Sequence, residues 1–568
     1  MNGSIVTTRR RLLRTAEACS LVLLPALTLW AAPAERALSG KLSEKVRLQS
    51  EGQGSKPVDV LVRFRQPPDA GKRALVTGLG GRVGRQFTAS RWMAAQLPAR
   101  AVAQLANRPD VEFVASDAPT FASMDVAREA ADAPGPAEPE ASLTGAGVTI
   151  AMLDSGVAPH PAITTLVTAV DALGQDPPLV LPETVDPNGH GTHVAGILVG
   201  DGASSQGGRL HGLAPQAGLV SVRVLDGDGR GKTSDVLAGL HWVIDHKDEL
   251  GVRVLNLSLG HPVYEPAELD PLVQAAEAAW DAGIVVVCSA GNWGTSGHGS
   301  IASPCNSRKV ITVGALNAWH TGDTADDSVT TYSSRGPTRG DLVAKPDLLA
   351  PGNRIVSTRA PGSHLDLLYP ERRVADDPEH PELVDYFELS GTSMAAPMVS
   401  GAAALMLEQE PGLNPATVKA RLMLTATKAA AADPFTTGAG GLDILAALRT
   451  TGYVGAAPSP VVVADPASSG VEVENTATLW ADPAFPISTL WSGAVQWVGD
   501  PTQGVVVVTD AVLWPDLSAG PYSLLWPSDL PPAQAWDETP LWAEAVLWPD
   551  AAPPEIIIEG QGGLVEDP

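Results

Sequence analysis

The chain has 568 residues, of which 44% are hydrophobic and 18% charged, and this balance excludes a wholly disordered protein. The 64 Asp and Glu residues outnumber the 38 Lys and Arg residues, giving a formal net charge of -26. This acidity argues against nucleic acid or anionic lipid as the main partner. At about 150 residues per domain, the length predicts three or four structural units.

The N-terminus, residues 1–34, is predicted to be an export signal. Four arginines between residues 9 and 14 precede the apolar run Leu21–Trp30, and Ala32-Pro33-Ala34 provides a small-x-small cleavage site. The apolar run is too short to span a bilayer. Export by the general secretory route or by the twin-arginine route fits the basic cluster. We therefore expect a secreted mature form that does not span a membrane, with association to the cell surface left open.

Residues 35–120 are expected to form a small α+β unit with a folded core at 56–118, followed by a linker at 121–144. Alternating and apolar segments predict strands and helices in the order β-α-β-β-α-β, a split βαβ arrangement like that of ferredoxin. The segments in chain order are Val58–Phe64, Gly71–Gly78, Arg82–Phe87, Arg91–Leu97, Ala99–Asn107 and Val111–Ser116.

Residues 145–450 are predicted to form an α/β domain around a parallel sheet. Short apolar runs alternate with helix-like segments, which is typical of strands buried on both faces. The runs are Val148–Leu153, Leu219–Leu225, Val252–Leu259, Ile284–Ser289 and Val310–Val313. Parallel sheets of this kind bind ligands beyond the carboxyl ends of their strands.

The C-terminal tail, residues 451–568, has a different composition. It contains 16 acidic residues, no Lys, Arg or His, and eight of the 14 tryptophans of the chain. Ala511–Asp516 and Ala545–Asp550 repeat the same six residues. The frequent prolines predict short β segments or an extended tail. The tryptophans fit either contact with a surface or polymer or packing on one another or on the main domain.

Four polar residues follow predicted strands or begin predicted helices of the α/β domain. Asp154 ends the first strand, His190 and Ser393 lie at helix starts, and Asn292 follows the strand Ile284–Ser289. A serine hydroxyl needs an adjacent base to act as a nucleophile, and His190 oriented by Asp154 would supply it. The Asn292 amide and the Ser393 backbone N–H suit an oxyanion. His193, three residues beyond His190, is expected to face away from this site and to be structural.

Three sequence signatures resemble those of the subtilisin-family serine proteases, the subtilases: Asp154-Ser155-Gly156, His190-Gly191-Thr192-His193 and Gly391-Thr392-Ser393-Met394-Ala395. The resemblance implies a serine endopeptidase that cleaves protein or peptide substrates through an Asp154, His190, Ser393 triad and an acyl-enzyme. Residues 56–118 resemble the family's inhibitory propeptide, so the resemblance also implies a self-processing zymogen. We expect the maturation cut between about Ser116 and Pro136.

The resemblance further implies which residues flank an extended substrate as neighbouring strands. They are Gly229, Arg230, Gly231, Ser258, Leu259 and Gly260. An insertion at about Ser363–Phe387 precedes the nucleophile and is expected to rim the cleft. The chemistry implied needs no cofactor. No calcium-binding residues can be identified from the sequence, so structural calcium is left open.

Two questions stay open at the level of sequence. Cys288 and Cys305 could form a disulfide in an exported protein, or remain as two buried thiols. A binding protein on a vestigial protease scaffold is the alternative function. The joint presence of all four polar residues of the site argues against it, because a vestige has no physical need to keep them.

Overall fold

The computed structural model describes residues 57–88, 90–117, 119–122, 138–205, 208–318, 327–375, 384–428, 433–464 and 471–486, with shorter pieces at 41–42, 46, 131, 133–134, 490, 496–498 and 505–508. The predicted export signal and the Ala511–Asp516 and Ala545–Asp550 repeats lie outside the described residues. In the described part of the chain, no helix combines the length and the apolar character needed to cross a bilayer.

The helices and strands alternate along the chain. The helices are α1 (Ala70–Gly78), α2 (Ala99–Ala106), α3 (His190–Val199), α4 (Thr233–Leu250), α5 (Pro271–Asp281), α6 (His364–Leu368), α7 (Thr392–Gln409), α8 (Pro415–Thr425), α9 (Pro434–Thr437), α10 (Ile444–Arg449) and α11 (Thr476–Leu479). The strands are β1 (Pro57–Phe64), β2 (Arg82–Phe87), β3 (Trp92–Pro98), β4 (Val111–Ser116), β5 (Pro119–Ala122), β6 (Thr149–Asp154), β7 (Leu166–Asp171), β8 (Leu179–Val180), β9 (Gly218–Arg223), β10 (Arg230–Lys232), β11 (Val252–Leu257), β12 (Leu259–Pro262), β13 (Val285–Ser289), β14 (Ala302–Ser303), β15 (Ile311–Asn317), β16 (Ser328–Val329), β17 (Leu348–Pro351), β18 (Ile355–Thr358), β19 (Arg373–Val374), β20 (Tyr386–Leu389), β21 (Val462–Ala464), β22 (Val471–Val473), β23 (Gln496–Val498) and β24 (Val505–Val508).

The N-terminal unit is an antiparallel sheet in the order β2-β3-β1-β4, with α1 and α2 on one face. Successive residues of β1 point to opposite faces. Val60 and Val62 pack against the helices, whereas Leu61 packs in a core shared with the α/β domain. Both faces of this sheet are therefore buried, one by its own helices and the other by the rest of the protein.

The α/β domain has the predicted parallel sheet, and the fold class is confirmed. Its strand order is β16-β15-β13-β11-β6-β9-β7-β8, with β17 also paired to β15. The central pairs are parallel, whereas β8 and β16 join antiparallel. Residues of α3 and α7 share one core with the sheet, and residues of α4 and α5 share another. Helices on both faces explain why the central strands are continuous apolar runs.

The first part of the predicted tail belongs to the packed structure. Val454, Val462, Val473 and Trp480 are buried in a core that includes residues of α8. Trp480 Nε1 donates to the Pro458 carbonyl at 2.8 Å. The packing therefore continues beyond the boundary at 450 that composition suggested, because an acidic segment can still supply enough apolar side chains for a core.

Candidate active site

The proposed triad residues lie at the ends of three elements of the α/β domain. Asp154 is the last residue of β6, His190 the first residue of α3 and Ser393 the second residue of α7. Gly189, just before α3, has φ 103°, a left-handed conformation that glycine adopts without penalty. The three side chains are fully buried in this state of the protein.

His190 and Asp154 are hydrogen bonded. The His190 Nδ1 atom lies 2.7 Å from Asp154 Oδ1, which also accepts from the Ser155 N–H at 2.7 Å. A carboxylate can only accept, so in the neutral imidazole the proton is on Nδ1 and the lone pair is on Nε2. This tautomer is the one that a general base needs.

Asp186 connects the end of β6 to the start of α3, and the sequence reasoning missed it. Its carboxylate is buried and accepts from Ser155 Oγ at 2.8 Å and from Thr192 N and Oγ1 at 2.8 and 2.6 Å. It also accepts from the Gly189 N–H at 2.8 Å. Burial raises the pKa of Asp186. The available signal was Asp186-Pro187-Asn188-Gly189, a run typical of a turn that an Asp side chain closes.

The Asn292 side chain is oriented by Thr392, a second residue that the sequence reasoning missed. Asn292 Oδ1 accepts from the backbone N–H and the hydroxyl of Thr392, both at 3.0 Å. The Thr392 hydroxyl in turn accepts from the Gly291 N–H at 3.1 Å. With its oxygen held in this way, the amide offers the Nδ2 group as a donor, which is the group an oxyanion requires.

Ser393 and Ser258 contact each other through their main chains and side chains. Ser393 Oγ donates to the Ser258 carbonyl at 3.2 Å, and Ser258 Oγ donates to the Ser393 carbonyl at 2.7 Å. Ser258 directly precedes β12. The predicted nucleophile therefore lies at the start of one of the strands expected to flank the substrate.

The residues predicted to flank a substrate lie on two strands with a third strand between them. β5, the segment Pro119–Ala122, pairs antiparallel with β10 on one side and with β12 on the other. Phe121 is opposite Arg230 and Gly260, and Thr120 is opposite Gly231. Gly229 directly precedes β10. A Cβ at Gly260 would lie 2.5 Å from the Ser303 carbonyl oxygen, so the close approach of β14 requires glycine there.

His193 is buried and its ring faces main-chain carbonyls. Its Nε2 atom lies 3.0 Å from the Phe387 oxygen and 3.2 Å from the Ile355 oxygen. Burial, together with the nearby His190, lowers the pKa of His193 to about 3. This neutral imidazole joins α3 to the strands β18 and β20, which agrees with the structural role expected from its position.

Cys288 and Cys305 are both buried and lie together as a disulfide pair. Cys288 lies on β13, and Cys305 follows β14. The segment between them contains Asn292, so this link would brace the loop that holds the amide.

The chemistry available to these side chains is acyl transfer to a serine. Within the described ranges, no group of three His, Cys, Asp or Glu residues is arranged to hold a metal ion. Acyl transfer to a serine that is activated by a histidine base needs no cofactor.

Comparison with known proteins identifies the family. The model of the subtilase family matches residues 145–440. The chain is 42% identical over 329 residues to the serine protease AprX of Bacillus subtilis (strain 168), covering 57% of this chain and 71% of that protein. It is 32% identical over 387 residues to subtilisin E of the same strain, covering 67% and 88% respectively.

A solved structure supports the same fold. Fervidolysin from Fervidobacterium pennivorans, a keratinolytic enzyme related to subtilisin, superposes with a TM-score of 0.55 at 21% sequence identity. The match covers 75% of this chain and 64% of the fervidolysin chain, so this chain spans slightly less than two thirds of that protein. The resemblance inferred from the sequence signatures is confirmed, and the chain belongs to the subtilase family of serine endopeptidases.

Proposed function

We propose that the protein hydrolyses peptide bonds through Ser393, His190 and Asp154. His190 Nε2 takes the proton of Ser393 Oγ as that oxygen bonds to the substrate carbonyl carbon. The resulting oxyanion accepts from Asn292 Nδ2 and the Ser393 N–H. The C–N bond breaks as His190 returns the proton to the leaving amine, and water then hydrolyses the acyl-enzyme with the same base. The 2.7 Å contact between His190 and Asp154 carries this proposal.

We further propose that the chain is made as a zymogen that blocks and then cleaves itself. The strand β5 follows the N-terminal unit and lies between β10 and β12, where a substrate strand would lie. Ala122 is opposite Leu259. Ser258, the residue before Leu259, has the carbonyl that accepts from Ser393 Oγ at 3.2 Å, so the carboxyl end of β5 approaches the residue that contacts the nucleophile. We therefore propose a maturation cut shortly after Ala122, within the range expected from the sequence.

The contacts of the N-terminal unit support its role as an inhibitory propeptide. Arg85 forms an ion pair with Asp235 at 3.0 Å and donates to the Ser234 carbonyl at 2.8 Å. Asp117 accepts from the Ser234 N–H at 2.8 Å, near the start of α4. Trp92 packs in the core that the unit shares with the α/β domain. These contacts would hold β5 in the cleft until it is cut.

The test is the intact mass of the expressed precursor beside the Ser393→Ala variant, with casein hydrolysis measured on both. We expect the wild type to lose its N-terminal unit, to show a new N-terminus shortly after Ala122 and to digest casein. Ser393→Ala should stay full length and inactive. The control is Ser142→Ala, an exposed serine that donates only to the Pro139 carbonyl, which should behave as wild type. Processing of Ser393→Ala in purified form would contradict the proposal.

We propose that residues 1–34 direct export and that the Trp-rich tail mediates contact with a surface or polymer outside the cell. The composition of these segments supports both statements. Cell fractionation checks the first: the chain should appear in the medium, and a variant without residues 1–34 should stay inside the cell.

A further inference from the structure

The proposed base, His190, is the first residue of α3, so its position depends on the loop that precedes it. Asp186 holds this loop from the inside, since its carboxylate accepts from the Gly189 N–H and from the Thr192 N–H, both at 2.8 Å. The same carboxylate accepts at 2.8 Å from the hydroxyl of Ser155, just after β6. The inner side of the loop is therefore tied both to α3 and to the end of β6.

The outer side of the same loop is covered by α6, the short helix of the insertion. The His364 N–H donates to the Pro187 carbonyl at 2.9 Å, and the Leu365 N–H donates to the Asn188 carbonyl at 3.0 Å. These two carbonyls come three and two residues before the proposed base. The loop therefore cannot move outward without displacing α6.

A helix as short as α6 depends on tertiary contacts for its position. It spans five residues, whereas isolated helices shorter than about 12–15 residues are marginal in water. Leu365 packs in the core that contains residues of α3 and α7, whereas Leu367 and Leu368 are 68% and 46% exposed. The residues that fix α6 are therefore those on its buried side, Leu365 and Asp366.

Asp366 connects α6 to the three-stranded sheet β18-β20-β19. Its carboxylate is 2% exposed and accepts from Arg359 Nη2 at 2.9 Å and from Arg373 Nε at 2.7 Å. Arg359 directly follows β18, and Arg373 is the first residue of β19. Burial alone would raise the pKa of Asp366, but the hydrogen bonds from the two arginines lower it to about 2, so the carboxylate is charged at neutral pH. Charge-assisted hydrogen bonds of this kind are about twice as strong as neutral ones, and they hold α6 against the sheet.

The same sheet also contacts α3 on the other side of His190. Two hydroxyls of β18 donate to carbonyls in the first turn of α3. They are Thr358 Oγ1 on Thr192, at 2.7 Å, and Ser357 Oγ on His193, at 2.8 Å. The backbone is thus attached to this sheet directly after His190 and, through α6, just before it. Asp366 closes the connection between the two attachments.

We propose that Asp366 is a positioning residue for the proposed base, acting through α6 and the loop before His190. This inference rests on the proposed function. A general base must lie within hydrogen-bond reach of the proton it takes, and misplacement by about 1 Å can lower the rate by about 10²-fold. Loss of the Asp366 charge should loosen α6 and, with it, the loop, so that the His190 imidazole leaves its productive position for part of the time.

The test compares Asp366→Asn with wild type in enzyme obtained by expressing the full chain, with a short peptide as substrate. We expect kcat to fall by about tenfold with KM little changed, because the base is misplaced while the strands expected to bind the peptide are not altered. The proton NMR signal of His190 Nδ1, which lies 2.7 Å from Asp154 Oδ1, should shift or broaden. A residue that only stabilised the fold would lower the melting temperature and leave kcat and this signal unchanged.

Two further variants complete the test. Arg373→Ala is the milder change, in case Asp366→Asn does not fold: it removes one of the two arginines, whose side chain is 32% exposed, and should lower kcat by a smaller factor with the same shift of the NMR signal. Glu410→Gln is the matched control. Glu410 accepts from Arg421 Nη1 at 2.7 Å and Nη2 at 3.1 Å at the end of α7 far from Ser393, so this variant should keep the kcat of wild type.

The outcomes separate this inference from the proposed function. Wild-type kcat and an unchanged NMR signal in Arg373→Ala, and in Asp366→Asn if that variant folds, would overturn the inference and leave the peptidase intact. An equal fall of kcat in Glu410→Gln would also overturn it, since the loss of any carboxylate–arginine pair would then have the same effect. Absence of peptide hydrolysis by correctly folded and processed wild type would overturn the proposed function, and the inference with it.

Discussion

At the scale of single residues, the side chains proposed to touch a substrate are held in position by neighbouring residues that do not touch it. Thr392 is adjacent to the nucleophile in sequence, yet its contacts go to Asn292 and Gly291. An amide can rotate by half a turn and present oxygen where nitrogen is needed. Two donors on Asn292 Oδ1 exclude that orientation, so we propose Thr392 as a positioning residue for the proposed oxyanion site.

Thr392→Val removes the hydroxyl and keeps the shape of the side chain. We expect kcat to fall by about fivefold with KM little changed, because one hydrogen bond of about 1 kcal/mol is lost from a group that acts in the transition state. Asn292→Ala should lower kcat by about 10²–10³. The check is steady-state kinetics of both variants, with Thr392→Ser as the conservative control that should recover activity.

The double variant decides whether Thr392 works through the amide. If it does, adding Thr392→Val to Asn292→Ala should lower kcat only slightly further, because the amide that Thr392 positions is already absent. Full additivity of the two losses would instead mean that Thr392 acts independently of Asn292.

At the scale of secondary-structure elements, one buried and one partly buried lysine join α8 to the strands and to the chain that follows. Lys419 in α8 donates to Ser459 Oγ at 2.8 Å and pairs with Asp347 at 3.1 Å, and all three are buried. Lys428, just after α8, donates to the carbonyls of Met423, Ala439 and Leu490 at 2.7, 3.0 and 2.8 Å. Lys428 thus connects one helix to two later segments through carbonyl groups alone.

Lys428 should make stability depend on pH. Burial lowers the pKa of Lys428 from 10.5 to about 7, so between these values the unfolded chain binds a proton that the folded chain does not. The free energy of unfolding should therefore rise as pH increases from about 7 to about 10. In the Ser393→Ala background, Lys428→Met should flatten this rise, as measured by urea midpoints across the range.

Lys247 provides the matched control for this measurement. It lies in the last turn of α4 and pairs with Asp248, whose side chain is 91% exposed, so Lys247→Met should keep the pH dependence of the parent. A Lys428→Met curve parallel to the parent curve would show that the folded protein keeps Lys428 charged.

At the scale of the whole molecule, the N-terminal unit and the segment after residue 450 both complete cores of the α/β domain. The N-terminal sheet contributes Leu61 and Trp92 to the core around α4 and α5. The segment 454–490 contributes Val454, Val473 and Trp480 to the core around α8. Arg308 also pairs with Glu474 at 2.5 Å. Composition alone would have assigned that segment to the tail.

Two truncations of the Ser393→Ala precursor separate the packed segment from the remainder of the tail. Ending the chain after residue 450 should lower the melting temperature sharply or prevent folding, because apolar residues of α8 and Phe435 lose the side chains that cover them. Ending it after residue 510 should leave the melting temperature close to that of the full chain. The measurement is thermal unfolding followed by circular dichroism.

The same truncations in the active enzyme test the tail as a contact segment. The chain ending at 510 should hydrolyse peptides as the full chain does while losing any adhesion to cells or polymer. Equal melting temperatures for the chains ending at 450 and at 510 would contradict the structural role of residues 454–490.

The sequence by itself determined the fold class and the four residues proposed for chemistry. Uninterrupted apolar strands between helices indicate a parallel sheet, and such a sheet brings the carboxyl ends of its strands to one edge. Asp154 and Asn292 follow strands, and His190 and Ser393 begin helices, so their meeting is a consequence of local pattern and topology. The sequence signatures then identified the family without any measurement of distance.

The groups that hold those residues in place become apparent only when the packed chain is considered. Thr392 on Asn292, Asp186 on Ser155, and α6 on the loop before His190 are contacts between residues well separated in the chain. A threonine, an aspartate in a turn and a charged insertion have no periodicity that reveals a distant partner. The same holds for Val454, Val473 and Trp480, whose burial depends on an apolar surface that exists only once α8 has packed against the sheet.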